Sequence, residues 1–344
     1  MKIGTARAEL DKFFRGVLGE NGKPLNKHGE PLLMLGHPGV GKTSIIFQVA
    51  ELLKFSVLLE HPCIADPTDY KGLPMKVNGA AEFVPIGPLR IMIEAKVPTI
   101  VVFDDLPHAA PAVQAPIMQL ILARRIGCHN VSEFVTFVAA GNRREDKAGA
   151  HNIIEPLKTR FATVIEIEQD LESWVSWART AQINPPLVAF IRWKPEYILD
   201  WKPGVGMKNT PSARAVENVD KLLKLGIESR SALEECITGA VGQEFSSNFF
   251  PFLEIFETMP DADEILKNPK DAVVPTEAGV LHALCSSLAR RATKKLAKNL
   301  FIYIDRLESE YATVLYRDSI QHCPEIEETK ACIEWRTANQ DMLV

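Results

Sequence analysis

The residues best suited to chemistry lie in one short segment, 36–43, which reads Gly-His-Pro-Gly-Val-Gly-Lys-Thr and fits the phosphate-loop pattern G-x-x-x-x-G-K-[ST]. Glycines, which lack a Cβ, let successive backbone N–H groups close around phosphates. Lys42 is expected to reach the β- and γ-phosphates of a nucleoside triphosphate, and Thr43 to offer its hydroxyl to Mg²⁺. The predicted cofactor-binding residues of this segment are Gly36, His37, Pro38, Gly39, Val40, Gly41, Lys42, Thr43 and Ser44.

The segments on either side of this loop are of the kinds that a phosphate site needs. Residues 31–35 form a short apolar run typical of a buried strand, and residues 44–53 have the periodicity of an amphipathic helix. A strand, a glycine loop and a helix, in that order, are the context in which the pattern binds phosphate. His37 stands at a variable position of the loop, so we expect its side chain to point outward.

Two adjacent carboxylates follow another apolar run. Residues 99–105 read Thr-Ile-Val-Val-Phe-Asp-Asp, which predicts a buried strand that ends in Asp104 and Asp105. Hydrolysis of a triphosphate needs an acid that holds the metal and a group that activates water. We assign the first role, in the Mg²⁺ shell, to Asp104 and the second to Asp105. Two solvated acids at a strand end are the alternative, and the phosphate loop upstream disfavours it.

Short apolar runs alternate with helical stretches over the first half of the chain. The runs are 31–35, 55–59, 99–103, 133–139 and 162–167. Such alternation predicts a parallel sheet with helices on both faces. Residues 75–85 interrupt it and predict a hairpin that turns near Asn78 and Gly79. Beyond Glu168 the strand-like runs end and the periodicity is helical.

Composition limits the class of protein. A chain of 344 residues predicts two or three domains, and a net charge of −5 argues weakly against a dedicated polyanion binder. The six cysteines show no metal-site spacing, so free thiols in a reducing compartment are expected. Neither a signal peptide nor a long apolar run is visible, and we therefore expect a cytoplasmic protein without a membrane partner.

The order of these elements resembles that of the AAA+ ATPases, and in detail that of a bacterial and phage subgroup of the MoxR family. The segment Asp-Asp-Leu-Pro-His-Ala-Ala-Pro-Ala-Val-Gln-Ala-Pro at 104–116 adds to the resemblance. It implies an α/β fold: an AAA+ αβα P-loop core with a parallel five-stranded sheet of order 5-1-4-3-2, an all-α lid and a helical C-terminal region. The implied domains are an N-terminal helix and loop (1–30), the nucleotide-binding domain (31–168), the lid (169–240) and the C-terminal region (241–344).

The resemblance also implies roles at positions that match the family's motifs. Asn142, which follows an apolar run, matches sensor 1, the residue that faces the γ-phosphate and its water. Arg160 matches the arginine finger, which reaches the γ-phosphate bound by a neighbouring subunit. Arg214, within Thr-Pro-Ser-Ala-Arg-Ala at 210–215, matches the sensor 2 arginine of the lid. The implied cofactors are ATP and Mg²⁺, and the implied catalytic residues are Asp105, Asn142 and Arg160.

One position departs from the family pattern. The family usually carries Asp-Glu where this chain has Asp104 and Asp105. The side chain of aspartate is shorter by about one C–C bond, and a misplacement on that scale can lower a rate by about a hundredfold. We therefore expect slow hydrolysis, unless a bridging water closes the gap.

The implied function is that of an ATP-hydrolysing ring motor, a homo-oligomer and by resemblance a hexamer, with chaperone-like remodelling of a partner protein. The favoured partner carries a von Willebrand factor A-like domain. Two alternatives remain: a nucleic-acid-directed motor, supported by the basic segment 290–298, and an ATP-gated scaffold that hydrolyses slowly, suggested by Asp105. Arg143 and Arg144 fit either a contact with a neighbouring subunit or an exposed loop.

Overall fold

The computed structural model describes residues 1–16, 28–146, 153–203 and 209–340. The chain divides into two compact units. The first consists of Met1–Ser173, Trp201–Val205 and Ser212–Arg214, and the second of Trp174–Asp200, Gly206–Pro211 and Ala215–Val344. The four-part division expected from the sequence stays a prediction, and residues 17–27 of its N-terminal loop lie outside the described ranges.

A parallel sheet forms the centre of the first unit. In chain order the strands are β1 (Leu32–Leu35), β2 (Ser56–Glu60), β3 (Leu73–Val77), β4 (Ala80–Val84), β5 (Thr99–Phe103), β6 (Arg125–Ile126), β7 (His129–Asn130), β8 (Val135–Gly141) and β9 (Thr163–Glu166). Within the described ranges, five of them pair in parallel in the order β2-β5-β8-β1-β9. When the strands of this sheet are numbered along the chain, that is the predicted order 5-1-4-3-2, which is thereby confirmed.

The strand order determines which loops come together. β1 lies between β8 and β9, with Leu35 opposite Gly141 in the register of β1 and β8. Because the carboxyl ends of parallel strands lie at the same edge of a sheet, the residues that follow β1, β5 and β8 are neighbours there. These residues are Gly36, Asp104 and Asn142.

The helices connect the strands and then continue alone. In the first part of the chain they are α1 (Ile3–Arg15), α2 (Lys42–Leu53), α3 (Pro67–Lys71), α4 (Gly87–Glu94), α5 (Pro111–Ala123) and α6 (Glu155–Lys158). After β9 they are α7 (Leu171–Thr180), α8 (Pro185–Trp193), α9 (Glu196–Leu199), α10 (Ala213–Lys224), α11 (Arg230–Val241), α12 (Gln243–Thr258), α13 (Ala262–Lys267), α14 (Ala278–Arg291), α15 (Ala297–Ile304), α16 (Ser309–His322) and α17 (Lys330–Ala338). Short 3₁₀ turns occur at Leu106–His108, Arg144–Asp146 and Pro324–Glu328.

Successive side chains of a strand point to opposite faces of the sheet, and helices cover both faces. Leu33 and Val101 pack with residues of α4 and α5 on one face. Leu32 and Ile100 pack with residues of α1 and α2 on the other. Burial of each such side chain contributes roughly 1.5–3 kcal/mol. Cover on both faces explains why these strands are apolar runs in the sequence and show no alternation of polar residues.

Two hairpins accompany the sheet. The hairpin of β3 and β4 turns at Asn78 and Gly79, whose φ angles of 51° and 89° fit a two-residue type I′ turn, so the predicted insert is confirmed. The hairpin of β6 and β7 was not predicted. Its strands have two residues each, too few for a period of two to be visible in the sequence.

In the second unit helices pack on one another. The rings of Phe245 on α12 and Phe190 on α8 lie with their centroids 5.0 Å apart, at the centre of an aromatic cluster. A separate apolar cluster contains Leu288, Leu300 and Leu315 from α14, α15 and α16. The described residues after β9 contain no strand, as the sequence predicts. Among the residues that the structure describes, no helix is long and apolar enough to cross a membrane.

Candidate nucleotide-binding site

The segment between β1 and α2 forms a tight loop whose backbone lies close to other parts of the chain. Gly39 and Gly41 have φ angles of 78° and 101°, in the left-handed region where a Cβ is strained. A Cβ on Gly36 would lie 2.7 Å from the carbonyl oxygen of Ile167. The loop leads directly into the N-terminus of α2, where unpaired N–H groups and the helix dipole stabilise an anion.

Lys42, the first residue of α2, points back into this loop. Its Nζ donates hydrogen bonds to the carbonyl oxygens of Gly36 and His37, at 2.9 and 3.1 Å, and to Oδ1 of Asn142 at 3.1 Å. The side chain is buried, and burial lowers the pKa of Lys42 to about 8. An ammonium group that has lost its water is a strong partner for phosphate oxygens, since it exchanges weak solvation for charge-assisted hydrogen bonds.

Thr43 and Asp104 meet beside the loop. Oγ1 of Thr43 donates to Oδ2 of Asp104 at 3.0 Å, and the backbone N–H of Asp105 donates to Oδ1 of Asp104 at 3.1 Å. A hydroxyl and a carboxylate are ligands of the hard-oxygen type that Mg²⁺ prefers, with phosphate oxygens and water completing its octahedral shell. The donor set of these two residues therefore fits Mg²⁺.

Asp105 has an uncommon backbone conformation. Its φ and ψ angles are 52° and 32°, in the left-handed helical region, and 45% of its side chain is exposed. Aspartate is tolerated in this region better than longer side chains are, because its short polar group bonds locally. The structure thus gives a local reason for aspartate at a position where the family resemblance implies glutamate. Oδ1 of Asp105 lies 3.8 Å from Nδ1 of His108.

Arg143 is bound to acids of its own loop. Its Nη2 lies 3.0 Å from Oδ1 of Asp146, and its Nε lies 3.3 Å from Oε1 of Glu145. The hydrogen bond to Asp146 contributes most to a raised pKa of Arg143. Of the two interpretations of this arginine, the local pairing favours a loop residue over an intersubunit contact. The side chain of Arg144 lies outside the described part of the chain.

Arg160 does not join the residues around Lys42. It follows α6, and its Nη1 donates to the carbonyl oxygen of Pro156 in that helix. Within the described ranges, no hydrogen bond or ion pair links Arg160 to residues 36–44, and its buried Nε has no hydrogen-bond partner. A guanidinium whose hydrogen-bonding capacity is partly unused is a candidate for a ligand outside its own loop.

Arg214 lies beside the phosphate loop of its own chain. A Cβ on Gly39 would lie 3.3 Å from Cβ of Arg214 and 2.8 Å from Oγ of Ser212. The positive charge of Arg214 also acts to lower the pKa of Lys42, a smaller contribution than burial. Arg214 is exposed as a residue. This position favours a role of Arg214 at the site of its own chain over a role at the site of a neighbour.

His37 is not where we expected it. The prediction that it points outward is wrong: the residue is 6% exposed, and its ring stacks on Trp201 with centroids 5.5 Å apart and an angle of 6° between the planes. Nδ1 of His37 lies 2.9 Å from the carbonyl oxygen of Pro38. No local sequence pattern links Trp201 to a loop so far upstream. The stack covers the phosphate loop on one side.

Acid is expected to destabilise the first unit through His37. Burial lowers the pKa of His37, and the Pro38 carbonyl opposes this. In the unfolded chain the His37 imidazole takes up a proton near pH 6.5, whereas in the folded state it does so only at lower pH. Protonation therefore favours the unfolded chain, so the free energy of unfolding is highest above about pH 6.5 and falls below it. His37→Phe keeps a ring against Trp201 and removes the titration. Melting temperatures at about pH 7.5 and 5.5 should differ less in this variant than in the wild type; equal differences would contradict the prediction.

Comparison with known families concerns the same part of the chain. Residues 31–161 match the family model of the AAA domain, dynein-related subfamily. This segment holds the phosphate loop, Asp104, Asn142 and Arg160, and with the sheet order described above it is an AAA domain of the P-loop fold. No curated protein sequence matches the chain.

Similar solved structures include a protein of Thermotoga maritima and one of Brucella abortus. The first is the RuvB Holliday junction branch migration motor, with 15% identity over 76% of this chain and 74% of that chain, at a TM-score of 0.39. The second is NtrX in complex with ADP, with 14% identity over 99% of this chain and 68% of that chain, at a TM-score of 0.41.

Proposed function

We propose that this protein is an ATP-hydrolysing ring motor of the MoxR-like type that remodels a partner protein. The observation that carries the proposal is the convergence of Lys42, Thr43, Asp104 and Asn142 at one edge of the sheet, with Thr43 Oγ1 and Asp104 Oδ2 3.0 Å apart. The AAA domain over residues 31–161 supports the same activity. The nucleotide is expected to lie against the loop that precedes α2.

Each residue of the site has a role in this proposal. The loop N–H groups and Lys42 bind the phosphates, and Thr43 and Asp104 hold Mg²⁺. Bound Mg²⁺ supplies positive charge to the phosphate oxygens. Asp105 accepts the proton of the attacking water, and Asn142, once Lys42 turns to the phosphates, is free to orient that water. Arg214 acts within its own chain, since its Cβ lies close to the loop at Gly39.

Arg160 is the residue that makes the proposed hydrolysis depend on assembly. A guanidinium that stabilises charge on the transferred phosphoryl group is worth a large factor in rate. Arg160 has no hydrogen bond or ion pair to residues 36–44 of its own chain in the described ranges, so we propose that it acts on the nucleotide of the next subunit. Head-to-tail contacts of this kind form a ring when the rotation between successive subunits closes. A hexamer is the size that the family resemblance suggests.

The partner and the location are proposed on resemblance alone. MoxR-like ATPases commonly work with a protein that carries a von Willebrand factor A-like domain, and we propose the same class of partner here. The motor cycle would then mature or rearrange a target in a chaperone-like way. The proposed location is the cytoplasm.

The nucleic-acid alternative depends on the basic segment 290–298, and two of its cations have acidic partners. Nε of Arg291 lies 3.0 Å from Oδ1 of Asp263, and Nζ of Lys294 lies 3.4 Å from Oε2 of Glu328. These pairs lower the positive charge that a phosphate backbone would meet. An ATPase activity that DNA stimulates and that salt strongly suppresses would nevertheless favour this alternative.

Substitutions at Asp105 test the proposed hydrolysis. Asp105→Asn should lower ATP turnover by about 100-fold or more while nucleotide binding persists, because the amide cannot accept a proton from water. Asp105→Glu should raise turnover, by up to about 100-fold, because the longer side chain brings the carboxylate closer to water. Phosphate release at saturating Mg·ATP measures both, and the melting temperature reports the strain of glutamate at this left-handed position, on the order of 1 kcal/mol.

The outcomes separate the two accounts of Asp105. A gain from near-zero turnover in Asp105→Glu would favour the slow-hydrolysing scaffold as the native state. No gain would remove the reason for that alternative. If Asp105→Asn hydrolysed ATP like the wild type, Asp105 would not be the group that activates water.

A further inference from the structure

The helical second unit contains a cleft that shares no residues with the candidate nucleotide-binding site. Its volume is about 590 Å³, within the range of ligand pockets, and α7, α8, α14 and α16 line it. Lining residues on α7 and on α14 are spaced at i, i+3 and i+4, so one face of each helix is turned to the cleft. These residues are Ser176, Arg179, Thr180, Ser286, Ala289 and Arg290. The cleft therefore has polar side chains on both of these helices.

The acid that lines the cleft is already neutralised. Nη2 of Arg179 lies 2.6 Å from Oδ1 of Asp318, and Nη2 of Arg192 donates to the same oxygen at 2.7 Å. Nη1 of Arg192 donates to the other oxygen. Asp318 is buried, and two guanidinium groups share its single negative charge. This cluster thus retains a formal charge of about +1, in a setting where an unpaired charge is costly.

Two more residues add unused hydrogen-bond donors. Arg290 is exposed, and no ion pair links it to an acid in the described ranges. Ser286 is 8% exposed, and its hydroxyl has no hydrogen-bond partner among the described residues. Buried polar groups without partners are rare, so a ligand that accepts hydrogen bonds would satisfy a group that the fold leaves unsatisfied. Hydrogen-bond donors and a net positive charge in the same cleft favour the binding of an anion.

The rest of the lining indicates the kind of anion. Ile183, Pro185 and Val188 give the cleft an apolar part. Among its lining residues, all of them in the described ranges, the one aromatic ring is the imidazole of His322, and no Phe, Tyr or Trp is present for a nucleotide base to stack on. Nucleic-acid grooves commonly provide such rings. An acidic group joined to an aliphatic side chain matches this combination better than a base does.

We propose that this cleft binds an acidic peptide segment of a partner protein, with a carboxylate against Arg290 and an aliphatic side chain on Val188. This goes beyond the proposed ATPase activity, since it names the chemistry by which the second unit recognises a polypeptide. The segment would be short, because the cleft holds only a few residues. Binding of this kind needs no nucleotide.

A labelled model peptide tests the proposal. The probe is a fluorescein-labelled hexapeptide of alternating Glu and Leu, and the full-length protein is titrated into it, without nucleotide, while fluorescence anisotropy is recorded. Arg290→Glu should weaken binding by about tenfold or more, the loss expected for one charge-assisted hydrogen bond. Lys295→Glu makes the same charge change at an exposed residue outside the cleft and should alter binding by less than about twofold. Thr180→Trp should weaken binding through bulk alone.

Several results would overturn the proposal. One is the absence of binding by the acidic peptide, and another is equal binding of a Lys-Leu peptide. Equal effects of Arg290→Glu and Lys295→Glu would mean that the protein responds to net charge and has no specific cleft. Tighter binding of a labelled oligothymidylate, with the same dependence on Arg290, would assign the cleft to nucleic acid. Since nucleotide is absent throughout, a protein that bound the peptide but failed to hydrolyse ATP would count against the proposed function alone.

Discussion

Arg160→Ala is expected to lower ATP turnover by about three orders of magnitude or more while leaving the affinity for ATP within about twofold, since an arginine finger acts on the transition state of phosphoryl transfer and contributes little to binding. Phosphate release at saturating Mg·ATP measures the first quantity, and calorimetric titration measures the second. The substitution removes one hydrogen bond, to the carbonyl oxygen of Pro156, so the fold should persist. Arg125→Ala, at an exposed arginine of β6, is the matched control and should retain wild-type turnover.

Mixing two inactive variants tests whether Arg160 acts between subunits. Arg160→Ala subunits keep an intact phosphate loop, and Lys42→Met subunits keep an intact finger. In a mixed ring, a competent site forms wherever an Arg160→Ala subunit faces the finger of a Lys42→Met neighbour. Recovery of activity on mixing is therefore expected. Inactive mixtures whose subunits demonstrably co-assemble, or an Arg160→Ala protein with wild-type turnover, would refute the trans role.

Lys42→Met is expected to lower the affinity for ATP by about 100-fold or more, because the charge-assisted hydrogen bonds of this lysine to the phosphates have no substitute. Methionine has nearly the same length, so the packing around the side chain changes little. Burial lowers the pKa of Lys42 to about 8, which means that the fold disfavours the charged form of this side chain. Removal of the charge should therefore not lower the melting temperature of the nucleotide-free protein. Calorimetric titration with Mg·ATP and thermal unfolding measure the two effects.

A matched control separates the role of this lysine from general charge loss. Lys96 is an exposed lysine of the same unit, outside residues 36–44. Lys96→Met should bind ATP as the wild type does. If Lys42→Met also bound ATP normally, the loop at 36–43 would not be the phosphate site. If it melted far below the wild type, the loss of binding would report unfolding.

The parts of the fold that could be predicted from the sequence are those that depend on local sequence patterns. Apolar runs and the glycine loop gave the strands and α2 within a residue or two, because two-sided burial and phosphate binding each constrain consecutive residues. The meeting of Thr43 with Asp104 also followed, since parallel strands deliver their carboxyl ends to one edge. A strand order taken from family resemblance was needed to bring Asn142 next to Lys42.

The unpredicted part depends on contacts between distant residues or on backbone angles. His37 and Trp201 stack although no periodicity joins them, and the approach of Arg214 to Gly39 depends on how the segment around residue 212 returns to the loop. Asp105 has a left-handed conformation in the turn after β5. Aspartate is only moderately enriched in this conformation, so the residue type alone does not predict it. The role proposed for Arg160 concerns a second copy of the chain, and no pattern within one copy determines it.

Calorimetric titration of the wild-type protein with ATP, with and without Mg²⁺, examines the phosphate site most directly. We expect one ATP per chain, with tighter binding when Mg²⁺ is present because Thr43 and Asp104 hold the metal against the phosphates. Well-folded protein that takes up no ATP at any Mg²⁺ concentration would contradict the assignment of residues 36–44, and with it the proposed motor.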